Sequence, residues 1–244
     1  MTARQPIDAA KPAGAVARLG ILRLETRFPR LPGDIGAEAT WPFPVAYRVV
    51  DGATSKRVVT ERAEGLLDDF IAAARELVAA GADGISTTCG FLSLFQKDIA
   101  AACDVPVATS SLMQAPMIQR LLPPGRRVGI ITVSAAALTA DHLAAAGVDP
   151  ETPVVGTEGG QELTRVLLED EPTLDAAAAE ADMLAAGDAL VSRNDDIGAV
   201  LLECTNMGPY SRALGDHLGL PVFDVVSFLT WFHAGLRPRD WRAG

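Results

Sequence analysis

Short apolar runs and longer amphipathic stretches alternate along the chain. The runs are "RLGILRL" (18–24), "DGISTT" (83–88), "VPVAT" (105–109), "RVGIITV" (127–133), "IGAVLLE" (197–203) and "LPVFDVV" (220–226). Each is short, apolar and rich in β-branched residues, as a strand buried on both faces should be. Residues 62–80 ("RAEGLLDDFIAAARELVAA") and 173–191 ("TLDAAAAEADMLAAGDALV") instead carry their apolar positions at helical spacing. Strands alternating with helices predict βα units around parallel sheets. The stretch 25–45 ("ETRFPRLPGDIGAEATWPFPV") is too rich in Pro and Gly for a regular helix, and reads either as a lid or binding loop or as a surface excursion.

The pattern repeats. "DGISTTCGF" leads to "CDVPVAT" in the first half and "GAVLLECTNM" to "LGLPVFD" in the second. Seventeen positions separate Cys89 from Pro106, and seventeen separate Cys204 from Pro221. "LGIL" at Leu19 and "VGII" at Val128 open the two halves alike. The expectation is an α/β fold of two pseudo-symmetric lobes, each a mostly parallel sheet flanked by helices, with the active-site cleft between them. The first lobe spans 15–113, the second 114–225, and a C-terminal helix within 226–244 packs back on the first. Ligands of open parallel sheets bind beyond the carboxyl ends of the strands, where both cysteines fall.

Composition narrows the chemistry. With 244 residues, 49% of them hydrophobic, the chain can bury a sizeable core. A formal charge of −10 disfavours nucleic acid or an anionic membrane surface as partner. There is no apolar h-region near the start and no run of about 18 apolar residues, so a cytoplasmic protein is expected. Three cysteines without a disulfide framework fit free thiols. No phosphate loop, dinucleotide fingerprint or Cys-x-x-Cys occurs, and "GTEGGQE" near residue 156 reads as a loop. His142, His217 and His233 lack metal-ligand spacing and read as structural; no cofactor and no metal is expected.

Two thiols on opposite sides of one carbon can remove a proton from one face and deliver one to the other. A thiol's ordinary pKa of about 8.5 is close enough to neutrality for either role. Cys89 precedes Gly90 and Phe91 and a helical stretch, and Cys204 precedes Asn206 and Pro209, which read as a cap and a first-turn proline. Backbone N–H groups there would lower a thiol pKa or hold a carboxylate. Cys103, in "DIAAACDV", reads as a small buried hydrophobe.

The opening "GILRLE", "STTCGF", "RVGIITVSAAALTADHLAAAGV" and "LLECTNM" resemble the aspartate/glutamate/hydantoin racemase superfamily over nearly the whole chain. That resemblance implies two similar α/β lobes, one cysteine from each at the cleft, and cofactor-free proton transfer. It gives Cys89 and Cys204 the acid and base roles. It places Thr88, Gly90 and Phe91, with Thr205 and Asn206, around the substrate, and matches Thr132 and Ser134 to a hydroxyl-bearing turn. Ser110 joins them, although Ser110 and Ser111 equally suit capping of "LMQAPMIQRLL". Arg27 and Arg30 could close over a carboxylate. Glutamate racemases carry Asn-Thr after the first cysteine and Thr-His after the second, where this chain has Gly90-Phe91 and Thr205-Asn206, so the scaffold transfers better than the substrate.

The function expected first is a cofactor-independent racemase or epimerase of an amino acid or hydantoin-like derivative, working by two-cysteine proton transfer. The alternatives are an isomerase or decarboxylase of a small dicarboxylic acid, and a non-catalytic small-molecule binding protein. The expected partner is a small carboxylate or cyclic amide, with self-association compatible with the apolar composition.

Overall fold

The computed structural model describes residues 16–239, 241 and 242; residues 15, 240, 243 and 244 of the expected lobes lie outside them. The first sheet contains β1 (Leu19–Leu24), β2 (Val45–Val50), β3 (Gly84–Thr87) and β4 (Val107–Ala108), in the order β2-β1-β3-β4. The second contains β5 (Arg127–Thr132), β6 (Val154–Gly156), β7 (Ile197–Leu202) and β8 (Val222–Phe223), in the order β6-β5-β7-β8. All pairings are parallel and the two orders are the same.

The repeat holds at the level of single hydrogen bonds. Ile85 faces Val107 and Ser86 faces Ala108, as Val200 faces Val222 and Leu201 faces Phe223. The Ile85 amide donates to the Pro106 carbonyl (3.0 Å), and the Val200 amide to the Pro221 carbonyl (2.9 Å). The expected α/β fold of two similar parallel lobes is therefore present.

The helices follow from capping and periodicity. Between β2 and β3 lie α1 (Ser55–Val59) and α2 (Leu67–Ala79), and between β3 and β4 lies α3 (Gln96–Ala102). The chain passes to the second lobe through α4 (Ala115–Leu121); α5 (Ala140–Ala145) separates β5 from β6; α6 (Leu163–Glu169) and α7 (Ala176–Arg193) precede β7; α8 (Ser211–Leu218) precedes β8; and α9 (Val225–Leu236) follows it. Helix α2 buries Phe70, Ala73, Ala74 and Leu77, one stripe of the expected period. It starts five residues later than the apolar spacing predicts, because Arg62 and Ala63 take φ of 57° and 54°, which no right-handed helix admits. Asp175 caps α7 through the amides of Ala177 and Ala178, and that helix buries Ala179, Met183, Ala186 and Leu190. The loop read from "GTEGGQE" is closed by Asp182 of α7, whose buried carboxylate accepts from the amides of Gln161, Glu162 and Leu163 at the start of α6.

The helix after each lobe's last strand leaves that lobe. Gln119 of α4 bonds the Val128 amide and the Arg126 carbonyl at the entry to the second sheet. Helix α9 returns to the first sheet, where Val225, Phe228 and Leu229 share a core with Leu19, Ile21 and Ala108. Gly84 of β3 leaves room for Phe232 and Leu236, into which a Cβ would press. His233 bonds the Ala17 carbonyl and stacks on Phe43, a structural role. No helix among the described residues is long and apolar enough to cross a membrane.

Candidate active site

The strands β3 and β7 end side by side in the core. Backbone ladders continue one residue past each: the Thr88 amide donates to the Leu22 carbonyl and the Glu203 amide to the Ile131 carbonyl. Thr88 and Glu203 are thus equivalent positions, and the next residue in each lobe is a cysteine. Cys89 and Cys204 line one small, largely apolar cavity, with Leu24, Phe28, Phe91 and Leu167 among its walls. A negative charge on Cys89 disfavours one on Cys204.

The first turn is held from below. Thr87 accepts from the Cys89 amide and donates to the carbonyls of Cys89 and Thr109. A 3₁₀ turn, Gly90–Phe95, follows directly, with Cys89 at its N-cap position. Phe91 meets His142 edge-on at 5.1 Å between ring centres. His142 Nδ1 accepts from the Thr139 amide and completes the capping box of α5, and burial lowers its pKa to about 4. His217, near the surface, bonds Asp188.

The second turn is tied to the rest of the molecule. Thr205 donates to the Thr88 carbonyl across the lobes (2.7 Å), and its own carbonyl accepts from the Ile35 amide. Asn206 accepts from the Cys204 thiol at 3.4 Å and donates to Asp34 Oδ2 at 2.6 Å. Asn206 is therefore not the helix cap that its position beside Pro209 suggests; Met207 precedes the 3₁₀ turn Gly208–Tyr210, and the Asn206 amide group orients Cys204 instead. Ser111 donates to the carbonyls of Leu202 and Glu203, fixing the end of β7 from the first half of the chain.

The 25–45 stretch is neither a free lid nor a surface excursion. Phe28, Ile35 and Trp41 are buried, and the Trp41 indole and Tyr47 hydroxyl both donate to the Ile35 carbonyl. Gly33, at φ +102°, presses against the backbone of Gly208 and Pro209, an approach no side chain would permit. Arg30, with its side chain 6% exposed, pairs with Asp34 at 2.8 Å and donates to Thr26, while its Nε is buried without a partner. Arg27 is at the surface and pairs with Asp170, away from the cavity.

Of the other predicted residues, Thr88, Gly90 and Phe91 line the cavity with Asn206. Thr205 is fully buried in the inter-lobe bond just described. Thr132 gives its hydroxyl to Glu203, and Ser110 and Ser134 serve turns by accepting from the amides of Leu112 and Ala137; none of these three lines the cavity. Cys103 lies outside the cavity and is half-buried against the core, not fully buried as its apolar context predicts, with the charges of Arg75 and Asp104 acting on it.

Two findings depart from the sequence reading. Both thiol pKa values are raised, not lowered: burial is the main cause, and Glu203 adds to it. The amides of Phe91 and Asn206 favour the thiolates, but these are single donors at short turns and do not outweigh desolvation. The second departure is Glu203 itself, which the sequence presents only as a polar end to an apolar strand. It is fully buried, lines the cavity, and accepts from Thr132 Oγ1 on Oε2 at 2.7 Å, while Oε1 has no partner. Burial pushes its pKa up to about 7. The signal available was its place in the repeat, a carboxyl in one half where the other has Thr88.

Comparison with known proteins agrees with this architecture. A dimethylsulfoniopropionate lyase of Durusdinium sp. clade D is 28% identical over 98% of this chain and 83% of its own length. Dimethylsulfoniopropionate lyase 7 of Emiliania huxleyi is 31% identical over 89% of this chain and 67% of its own. A glycine-to-cysteine variant of arylmalonate decarboxylase superposes with a TM-score of 0.60 at 18% identity, covering 91% of this chain and 97% of that one, which shows a shared fold. The family model described as Asp/Glu/hydantoin racemase matches residues 110–232, about half the chain and including Cys204. With the repeated lobes and the full-length likenesses, this match places the chain in the Asp/Glu/hydantoin racemase family.

Proposed function

We propose that the chain removes a proton from the carbon beside a carboxylate, with Cys89 as the base, and that the reaction it completes is β-elimination of a thioether from a 3-sulfoniopropionate. The observation that carries this reading is the cavity: two thiols and a buried carboxyl converge on a small space with apolar and aromatic walls. A sulfonium bearing methyl groups suits such walls, because its charge is diffuse and an aromatic face attracts it. Phe91 supplies such a wall, and so does Phe28, whose ring already has the Arg30 guanidinium over it at 4.8 Å. Arg30 is paired with Asp34 and Thr26 and does not line the cavity, but its buried Nε–H is unpartnered and its charge favours a thiolate at Cys89, so we assign it the substrate carboxylate. The names of the curated relatives support the same substrate class, and their likeness extends over nearly the whole chain.

Elimination needs less of the site than racemisation does. Once the α-proton is gone, the carbon–sulfur electron pair leaves on a neutral thioether that requires no acid. One base suffices, and Cys204, with its thiol proton directed at Asn206, serves to fill and orient the cavity. Isomerases that invert a centre instead need a proton delivered from the opposite face.

The matched positions of Cys89 and Cys204 favour a second reading, racemisation or epimerisation of an amino acid or hydantoin-like derivative. One experiment separates the two. The protein is incubated in D2O with dimethylsulfoniopropionate, and separately with enantiopure amino acids and a hydantoin. Release of dimethyl sulfide and acrylate is the expected result. Deuterium entering the α-carbon of an amino acid, with inversion and no sulfide release from the sulfonium compound, would replace elimination by racemisation.

A further inference from the structure

Glu203 is the one buried titratable group at this cavity that the proposed reaction leaves without a task. Its two oxygens are unequal: Oε2 takes the Thr132 hydroxyl, and Oε1 is buried and unpaired. Oε1 lies against the Cys89–Gly90 step, since a Cβ on Gly90 would overlap it, with the backbone carbonyl of Glu203 behind. Ser111 of the opposite half donates to that carbonyl and restrains the backbone there. A lone carboxyl oxygen is thus fixed beside the turn that carries Cys89, without a hydrogen bond to the thiol, so the transfer requires the Cys89 side chain to turn toward it. Cys204 sends its proton elsewhere, to Asn206.

We infer that Glu203 is a positioning residue that takes the thiol proton of Cys89 and so generates the thiolate that attacks the α-hydrogen. This deepens the elimination reading and rests on it for the substrate. The Cys89 S–H bond breaks, an O–H bond forms at Oε1, and the negative charge moves from carboxylate to sulfur. The thiolate then takes the α-proton, re-forming S–H, while the carbon–carbon double bond forms and the carbon–sulfur pair departs with the thioether. The site is left with Cys89 and Glu203 both protonated, and Glu203 returns one proton to solvent. Zwitterionic sulfoniopropionate thereby becomes acrylate, thioether and one proton, so the balance closes.

The charges around Glu203 do not compete for this role. Arg30 and Asp34, from the loop after β1, are paired with each other, and act on Cys89 and Cys204 respectively. His142 of α5 stands behind Phe91 with its Nδ1 committed to Thr139. A group that titrates at about 7 can hold and release a proton near neutrality, which a thiol raised by burial cannot do alone.

The test uses iodoacetamide on the full-length protein, with no substrate present, following Cys89 alkylation by peptide mass spectrometry from pH 5 to 9. In the parent, the rate should rise through an inflection near pH 7 and then level. Glu203→Gln should abolish that inflection and slow Cys89 alkylation at pH 7.5 by about 10²-fold or more, in the range general-base assistance supplies, while Cys103 reacts unchanged. Thr132→Val keeps the carboxyl but withdraws its hydrogen bond, and should move the inflection to higher pH; it decides the matter if Glu203→Gln does not fold. A Cys89 that stays unmodified at pH 8.5, reacts at the parent's rate in Glu203→Gln, or keeps its inflection in Thr132→Val overturns the inference. Failure of the elimination reading shows separately, as absence of sulfide release with this profile intact.

Discussion

The two cysteine turns occupy equivalent places in equivalent lobes and have opposite surroundings. In the first, the residue before the cysteine is Thr88, whose hydroxyl merely accepts the Leu24 amide; Gly90 and Phe91 follow, and Cys89 has an apolar wall and a lone carboxyl oxygen for company. In the second, the preceding residue is Glu203 and the following ones are Thr205 and Asn206, which tie Cys204 to Asp34 and to the other lobe. The scaffold repeats but the electrostatics do not. A repeated backbone guarantees that two groups meet, while the side chains beside them decide which is base and which is held as a thiol.

The sharpest way to break this comparison is to exchange reactivity between the halves. Cys89→Ser should lower kcat/KM for sulfide release by about 10³-fold or more, and Cys204→Ser by about 10-fold, the first being the loss of a base and the second of an orienting group. Equal losses would mean that both thiols take part in the elimination and would overturn the single-base reading. Next in size is Gly90→Ala, whose methyl would overlap the Glu203 carboxyl and main-chain carbonyl. It should cost about 1–3 kcal/mol in urea unfolding and abolish turnover, and an unchanged midpoint would show that the turn has room to spare.

On the second turn the effects are smaller. Asn206→Ala leaves a buried Asp34 oxygen without its amide donor, a loss of about 1–3 kcal/mol by the same measurement. Thr205→Val removes one inter-lobe hydrogen bond and should cost about 1 kcal/mol. The gentlest probe is pH. Glu203 is raised from an ordinary value of 4.5 to about 7, so the fold favours its neutral form; stability from this group is complete below 4.5, declines as pH rises through 7, and is level above. Glu203→Gln should flatten that decline in urea midpoints measured between pH 4 and 8, and a slope that persists would assign it to other groups.

Much of the fold was legible because buried parallel strands read as apolar runs. The two strands that escaped, β2 and β6, lie at sheet edges: β2 follows a Pro-rich stretch and leaves Arg48 and Val49 exposed, and β6 has three residues, too few to show a period. At the site, the cysteines were readable because the repeat marks them. Thr205 and Asn206 were readable as polar neighbours, but their bonds to Thr88 and Asp34 cross more than a hundred residues of sequence and follow from the lobes meeting. Arg30 reads from the sequence as a residue that could close over a carboxylate, and its pairing with Asp34 depends on a loop whose packing no local pattern announces. Burial reversed the expected direction of the thiol shifts because desolvation is a property of the assembled core, invisible to any reading of neighbours along the chain.

The return of α9 to the first sheet has a consequence for how the protein is made. As the chain emerges during synthesis, β1 to β4 can pair once Ala108 has been made, yet the face bearing Leu19, Ile21 and Ala108 is covered only in part, by Ile35 and Trp41, until Val225 to Leu236 have been added. The first lobe is the earlier to be built and the last to be closed. A nascent chain stalled between β8 and α9 would present the uncovered part of that apolar face to chaperones, although every wall of the thiol cavity through Asn206 would already have been made.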